Sequence, residues 1–140
     1  MTFPKASYNF RMALTALELS PEELKKYRPL EAIRKRRAKN RAQIAKRRRR
    51  AYTAALKAAK LLKEKFGAKE VILFGSLARR GSFTLYSDID LAARGIDPLK
   101  FYAASAAIER VDLNFQIDLV DLEFCLPALR ENIEKDGKPL

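Results

Sequence analysis

The chain has 140 residues, with 29 Lys and Arg against 17 Asp and Glu, a net charge of +12, and 48% hydrophobic residues. That length and composition exclude wholesale disorder and leave room for little more than one core. The absence of histidine and the presence of one cysteine, Cys125, exclude an imidazole triad, His-ligated zinc, an internal disulfide and any cysteine-cluster metal site.

The charge is unevenly placed. Residues 22–65 carry 18 Lys and Arg against 4 Asp and Glu, a net of +14, whereas residues 66–140 carry 9 against 12, a net of −3. A strongly basic segment therefore precedes a mildly acidic one. No apolar run reaches the roughly 18–20 residues of a membrane span. Met1-Thr2-Phe3-Pro4-Lys5 lacks the charged-then-apolar pattern of a secretory signal, so a cytoplasmic protein is expected.

Residues 1–19 show weak periodicity and read as a partly ordered arm. Ser20-Pro21-Glu22-Glu23 reads as a helix start, with Ser20 as N-cap, Pro21 at the first helical position and Glu23 closing a capping box. Pro29 interrupts or kinks this first short helix near Arg28. From Leu30 to Phe66 there is no Pro or Gly, and Ala, Arg, Lys, Leu and Glu dominate. One long helix is predicted there, ended by Gly67. Tyr52, Ala55, Ala59, Leu62 and Phe66, with Leu56 beside them, recur at helical spacing and predict its core-facing stripe.

Between Arg34 and Arg50 the only large apolar residue is Ile44. This stretch is expected to project into solvent or to meet a partner rather than to pack on the protein's own core. Its two basic runs, Arg34 to Arg41 and Lys46 to Arg50, repel themselves along a helix. Nucleic acid, a partner surface or the acidic half of another subunit would relieve that repulsion; a solvated helix is the alternative. No aromatic residue interleaves residues 34–50, so nucleic acid would be met mainly through its phosphates. The expected division is an N-terminal arm and arginine-rich helical extension, residues 1–50, and a separate domain, residues 51–140.

After Gly67 the pattern changes. Glu70 to Phe74 is a continuous apolar run, short enough for a buried strand. Gly75-Ser76 follows, and then Leu77 to Arg80 as a helical turn. Ser87 to Ala92 alternates, with Asp88 and Asp90 on one face and Ile89 and Leu91 on the other, as in a half-buried strand. Asp97-Pro98 starts a helix running through Ile108. Phe115 to Val120 is a further strand, with Asp118 on the face of Gln116. A last helix spans Pro127 to Lys135 and stops at Gly137. The fold class expected is mixed α/β, a small mixed sheet flanked by helices.

Three carboxylates on strands carry the chemistry. Asp88 and Asp90 lie two residues apart, so a strand puts both on one face. Adjacent carboxylates repel unless a cation intervenes, and oxygen ligands suit Mg²⁺. A third carboxylate, Asp118, from a neighbouring strand would complete a two-metal site for phosphoryl or nucleotidyl transfer. The strand running into Gly75-Ser76 offers backbone N–H groups and a hydroxyl to phosphate oxygens. Each piece alone is commonplace. Their ordered combination is what points to catalysis.

Leu73-Phe74-Gly75-Ser76-Leu77-Ala78-Arg79 followed by Ser87-Asp88-Ile89-Asp90-Leu91 resembles the signature of the minimal nucleotidyltransferases of the polymerase-beta superfamily, antitoxins found beside HEPN toxins. The resemblance covers about residues 51–140. It implies that Gly75 and Ser76, with Arg79 and Ser87, bind the nucleotide, that Asp88 and Asp90 hold Mg²⁺, and that Asp118 completes the triad. It further implies transfer of AMP from ATP to a tyrosine of a partner HEPN toxin. The spacing from Gly-Ser to Asp-x-Asp is one residue longer than usual in the family, and Arg80 stands where a glycine is common. Arg79 and Arg80 suit a triphosphate, although Arg80 reads equally well as a solvent-facing charge. Phe83 and Tyr86 could stack on a base or fold back as cover. Cys125 reads as a small buried or half-buried apolar residue. Two other readings remain: a non-catalytic antitoxin binding its toxin or nucleic acid through the basic helix, and nucleotidyl transfer to a small molecule or an RNA end.

Overall fold

In a computed structural model, residues 20–22 and 29–140 are described. The expected arm over residues 1–19 and the capping contact of Glu23 lie outside the described residues, while Pro21 and Glu22 are helical. The long helix α1 runs Pro29–Phe66. Pro29 begins it because a first-turn N–H has no partner to lose. Gly67, in the left-handed region at φ +71°, ends it.

The remaining elements are β1 (Glu70–Phe74), β2 (Ile89–Arg94), a 3₁₀ turn (Pro98–Lys100), α2 (Phe101–Glu109), β3 (Ile117–Asp121), α3 (Pro127–Asp136) and β4 (Lys138–Pro139). They form one four-stranded mixed sheet in the order β3-β2-β1-β4. β1 is antiparallel to β2 and β4, and β2 is parallel to β3. The helical start at Asp97-Pro98 takes the expected form, Asp97 Oδ1 accepting from the Leu99 N–H at 3.0 Å.

Strand alternation sorts the core onto two faces. Val71, Leu73, Ile89, Leu91 and Ile117 pack with α1 and with Ala104 and Ile108 of α2. Ile72 and Ala92 meet Leu122 and Ile133 of α3 on the opposite face, with Phe74 and Val120 at its margin. Among the described residues no helix is long and apolar enough to cross a membrane.

Four expectations need correction. The buried face of α1 is Ala51, Ala54, Ala55, Ala58, Ala59 and Leu62, while Tyr52 and Leu56 are 42% and 46% exposed. That face is built almost wholly of methyl side chains, and the bulk of Tyr52 and Leu56 stays outside it. The basic stretch is also not wholly apart from the domain. Residues 41–140 form one compact unit, Ile44 packs against the core, and Arg50 pairs with Asp112 at 2.9 Å. Finally, β2 starts at Ile89 and not at Ser87: its first ladder partner is Ile117 of β3, and the antiparallel pairing with β1 begins one residue later, at Asp90 opposite Phe74. β3 is likewise later than expected, since Phe115 belongs to the turn closed by its N–H on the Asp112 carbonyl at 3.1 Å. The short β4, on the far edge of β1, has no period-2 signal in so few residues.

Candidate active site

The site lies where β1 ends and β2 and β3 begin. Gly75 turns the chain off β1 at φ +75°, a conformation open to glycine at no steric cost. A second constraint acts on the same residue. A methyl group at Gly75 would overlap Asp90 Oδ2, 3.1 Å from Asp90 Cγ and 3.3 Å from Cβ. The turn that follows is pinned by the Gly75 carbonyl, which accepts from the N–H groups of Ala78 at 3.2 Å and Arg79 at 3.3 Å. Leu77 and Ala78 are buried beneath it, whereas Arg79 and Arg80 are exposed.

Parallel pairing sets Asp90 directly beside Asp118, and both lie on the sheet face that α3 only partly covers. Asp88 precedes β2 by one residue. All three carboxylates are half-buried. The carboxyl of Asp90 titrates above its ordinary range, first because burial disfavours its charge, then because Asp118 and Asp88 lie near; the Arg79 guanidinium opposes the shift. Asp118 is oriented by the Gln116 amide, whose Nε2 donates to Oδ1 at 3.1 Å and to Oδ2 at 3.4 Å.

Among the described residues, no three Asp, Glu, Cys or His side chains converge closely enough to close round one ion. Asp88, Asp90 and Asp118 therefore share a neighbourhood rather than a finished cage. The donor chemistry nevertheless fits Mg²⁺: carboxylate oxygens only, in a set whose central member is raised first by burial and then by its two neighbours.

Of the other expected residues, Ser87 turns its hydroxyl into its own loop, accepting from the Thr84 N–H at 2.8 Å and meeting Thr84 Oγ1 at 3.1 Å. Phe83 is buried in the core, folded back as cover, and Tyr86 is 91% exposed. Cys125 is half-buried, its thiol 3.7 Å from the Leu122 carbonyl.

Two contributors were not singled out from the sequence. Gln116 shares a strand face with Asp118, and that period-2 spacing is its signal in the sequence. Arg47 lies within the basic run. It stacks 4.4 Å over the Phe115 ring and donates to the Ser87 carbonyl at 3.3 Å.

Residues 57–140 match the family of polymerase beta nucleotidyltransferases. The chain belongs to that family, among its minimal nucleotidyltransferases. A solved structure described as a minimal nucleotidyltransferase shares 27% identity with it at a TM-score of 0.55, over 66% of this chain and 95% of that one. A toxin–antitoxin crystallised with AMP-PNP shares 27% at 0.52, over 61% and 70%. A mutant toxin–antitoxin complex containing MntA shares 30% at 0.50, over 60% and 68%. No curated protein matches the chain.

Proposed function

We propose that the protein transfers AMP from ATP to a tyrosine hydroxyl of a partner HEPN toxin, as the antitoxin of a cytoplasmic toxin–antitoxin pair. The observation that carries this reading is the approach of Asp90 to Gly75, which joins the phosphate-facing turn to the carboxylate group in one site. The likeness to a toxin–antitoxin holding AMP-PNP, an ATP analogue, supports the choice of nucleotide and of partner.

The Gly75-Ser76 backbone and the Ser76 hydroxyl would meet the β- and γ-phosphates, with Arg79 supplying positive charge beside them. Asp88, Asp90 and Asp118 would hold Mg²⁺, which neutralises triphosphate charge and lowers the pKa of the attacking hydroxyl. The tyrosine oxygen would form a bond to the α-phosphorus as the bond to pyrophosphate breaks, with Asp118 taking the phenolic proton. Gln116 holds Asp118 in orientation for that transfer.

Incubation with labelled ATP, Mg²⁺ and the toxin encoded by the neighbouring gene should move label onto the toxin. Replacing Asp88 and Asp90 together by Ala should abolish the transfer while the protein stays folded. Full transfer by that double variant would overturn the assignment. So would the absence of transfer by wild-type protein that binds both ATP and toxin.

A further inference from the structure

Arg47 sits in the most basic part of α1, yet its side chain turns inward. Its guanidinium covers the face of the buried Phe115 ring at 4.4 Å. One terminal nitrogen donates to the Ser87 carbonyl at 3.3 Å, and the other to the Asn114 carbonyl at 3.4 Å. Ser87 immediately precedes Asp88. Asn114 and Phe115 immediately precede Gln116, the residue that orients Asp118. A single planar cation thus spans the lead-ins of the two strands that carry the carboxylates. It does so where those strands first join, with the Ile89 N–H on the Gln116 carbonyl at 2.9 Å.

The same corner is tied to α1 a second time. Arg50 pairs with Asp112 at 2.9 Å, and Asp112 Oδ1 accepts from the backbone and side-chain amides of Asn114 at 3.0 and 2.9 Å. These contacts hold the Asp112 carboxyl at about 2, chiefly through the Asn114 side chain. The 112–114 turn is therefore fixed from one side, while the Ser87 side of the gap has Arg47 as its link to α1.

We propose that Arg47 is a positioning residue. It holds the Ser87–Asp88 and Asn114–Gln116 lead-ins in one register and thereby sets the spacing of Asp88 and Asp118 for a divalent cation. The metal part of this inference rests on the function proposed above; the coupling of the two lead-ins does not. Arginine suits the task because a rigid fork can donate in two directions while its plane stacks on a ring, whereas a lysine ammonium is a point donor on a flexible stem. Groups that orient metal-binding side chains typically alter metal affinity by about 10- to 100-fold when removed.

The experiment compares wild type, Arg47→Met and Arg47→Lys in the full chain. It reads amide hydrogen exchange at Ile89 and Phe115, Mn²⁺ affinity by calorimetry, and melting temperature. Arg47→Met should exchange roughly tenfold faster at both amides, with mid-sheet Leu73 and Leu91 unchanged. Its Mn²⁺ affinity should fall about tenfold. Arg47→Lys, which keeps charge over the ring, should recover melting temperature without recovering Mn²⁺ affinity. Unchanged exchange and unchanged Mn²⁺ affinity in folded Arg47→Met would overturn the proposal. If that variant does not fold, the same result in Arg47→Lys would overturn it. If wild type binds no Mn²⁺ while exchange at Ile89 and Phe115 still responds, the metal reading falls and the coupling stands.

Discussion

Gly75→Ala tests the joint between the proposed phosphate-binding turn and the carboxylate group most directly, and Gly67→Ala supplies its control. Both glycines are left-handed, at φ +75° and +71°, where a side chain costs roughly 1–2 kcal/mol. Restricting the unfolded chain returns about 0.4–1 kcal/mol in each case. A Cβ at Gly67 meets nothing within 4 Å, whereas one at Gly75 overlaps Asp90 Oδ2. Clearing that overlap moves Asp90 off its rotamer, at a further cost of about 0.5–1.5 kcal/mol. Urea unfolding should therefore show losses of about 1 kcal/mol for Gly67→Ala and about 2 kcal/mol for Gly75→Ala. The functional contrast should be much larger. A displacement of about 1 Å in a reacting group can cost on the order of 10²-fold in rate, so AMP transfer should collapse in Gly75→Ala and survive in Gly67→Ala. Equal transfer rates in the two variants would refute the claim that Asp90 is held against the turn.

Two further outcomes follow from burial and from charge. Leu62→Ala should destabilise by about 2–5 kcal/mol and Leu56→Ala by much less in the same urea titration, because Leu62 is fully buried and Leu56 is not. Asp90→Asn should melt higher than wild type at pH 7 in chelator. The folded carboxyl titrates above its ordinary 3.8, so wild type loses stability as pH rises from that value through the raised one, and the variant's advantage should vanish below about pH 3.8. Added Mg²⁺ should raise the wild-type melting temperature and leave the variant's unmoved.

What could be read from the sequence was whatever is encoded by local spacing. Asp88, Ile89, Asp90 and Leu91 alternate, and the structure puts the apolar pair into the core and Asp90 on the other face. The end of α1 at Gly67 and the 3₁₀ start at Asp97-Pro98 depend on single residues with strong backbone preferences, and both appear. Strand boundaries were less legible, because they depend on the partner. Ser87 and Asp88 have the same alternation as their successors and fall outside β2 because neither neighbour pairs with them: the ladders begin at Ile89 on Ile117 and at Asp90 on Phe74.

The helix shows the same division between local and tertiary information. Tyr52 and Leu56 have the bulk expected of a core stripe, but the inward face follows the buried Ala51, Ala54, Ala58 and Leu62, with the partly buried Ile44 one step before them. Arg47 occupies the step of three to four residues between Ile44 and Ala51, so it stands on that inward stripe. A charge on an inward stripe must find partners, and it finds two carbonyls and a ring. Among eleven Lys and Arg between Arg34 and Arg50 it is indistinguishable by composition. Its phase relative to the alanines distinguishes it, and that phase is legible only once small residues are given the same weight as large ones in defining a helix's buried face.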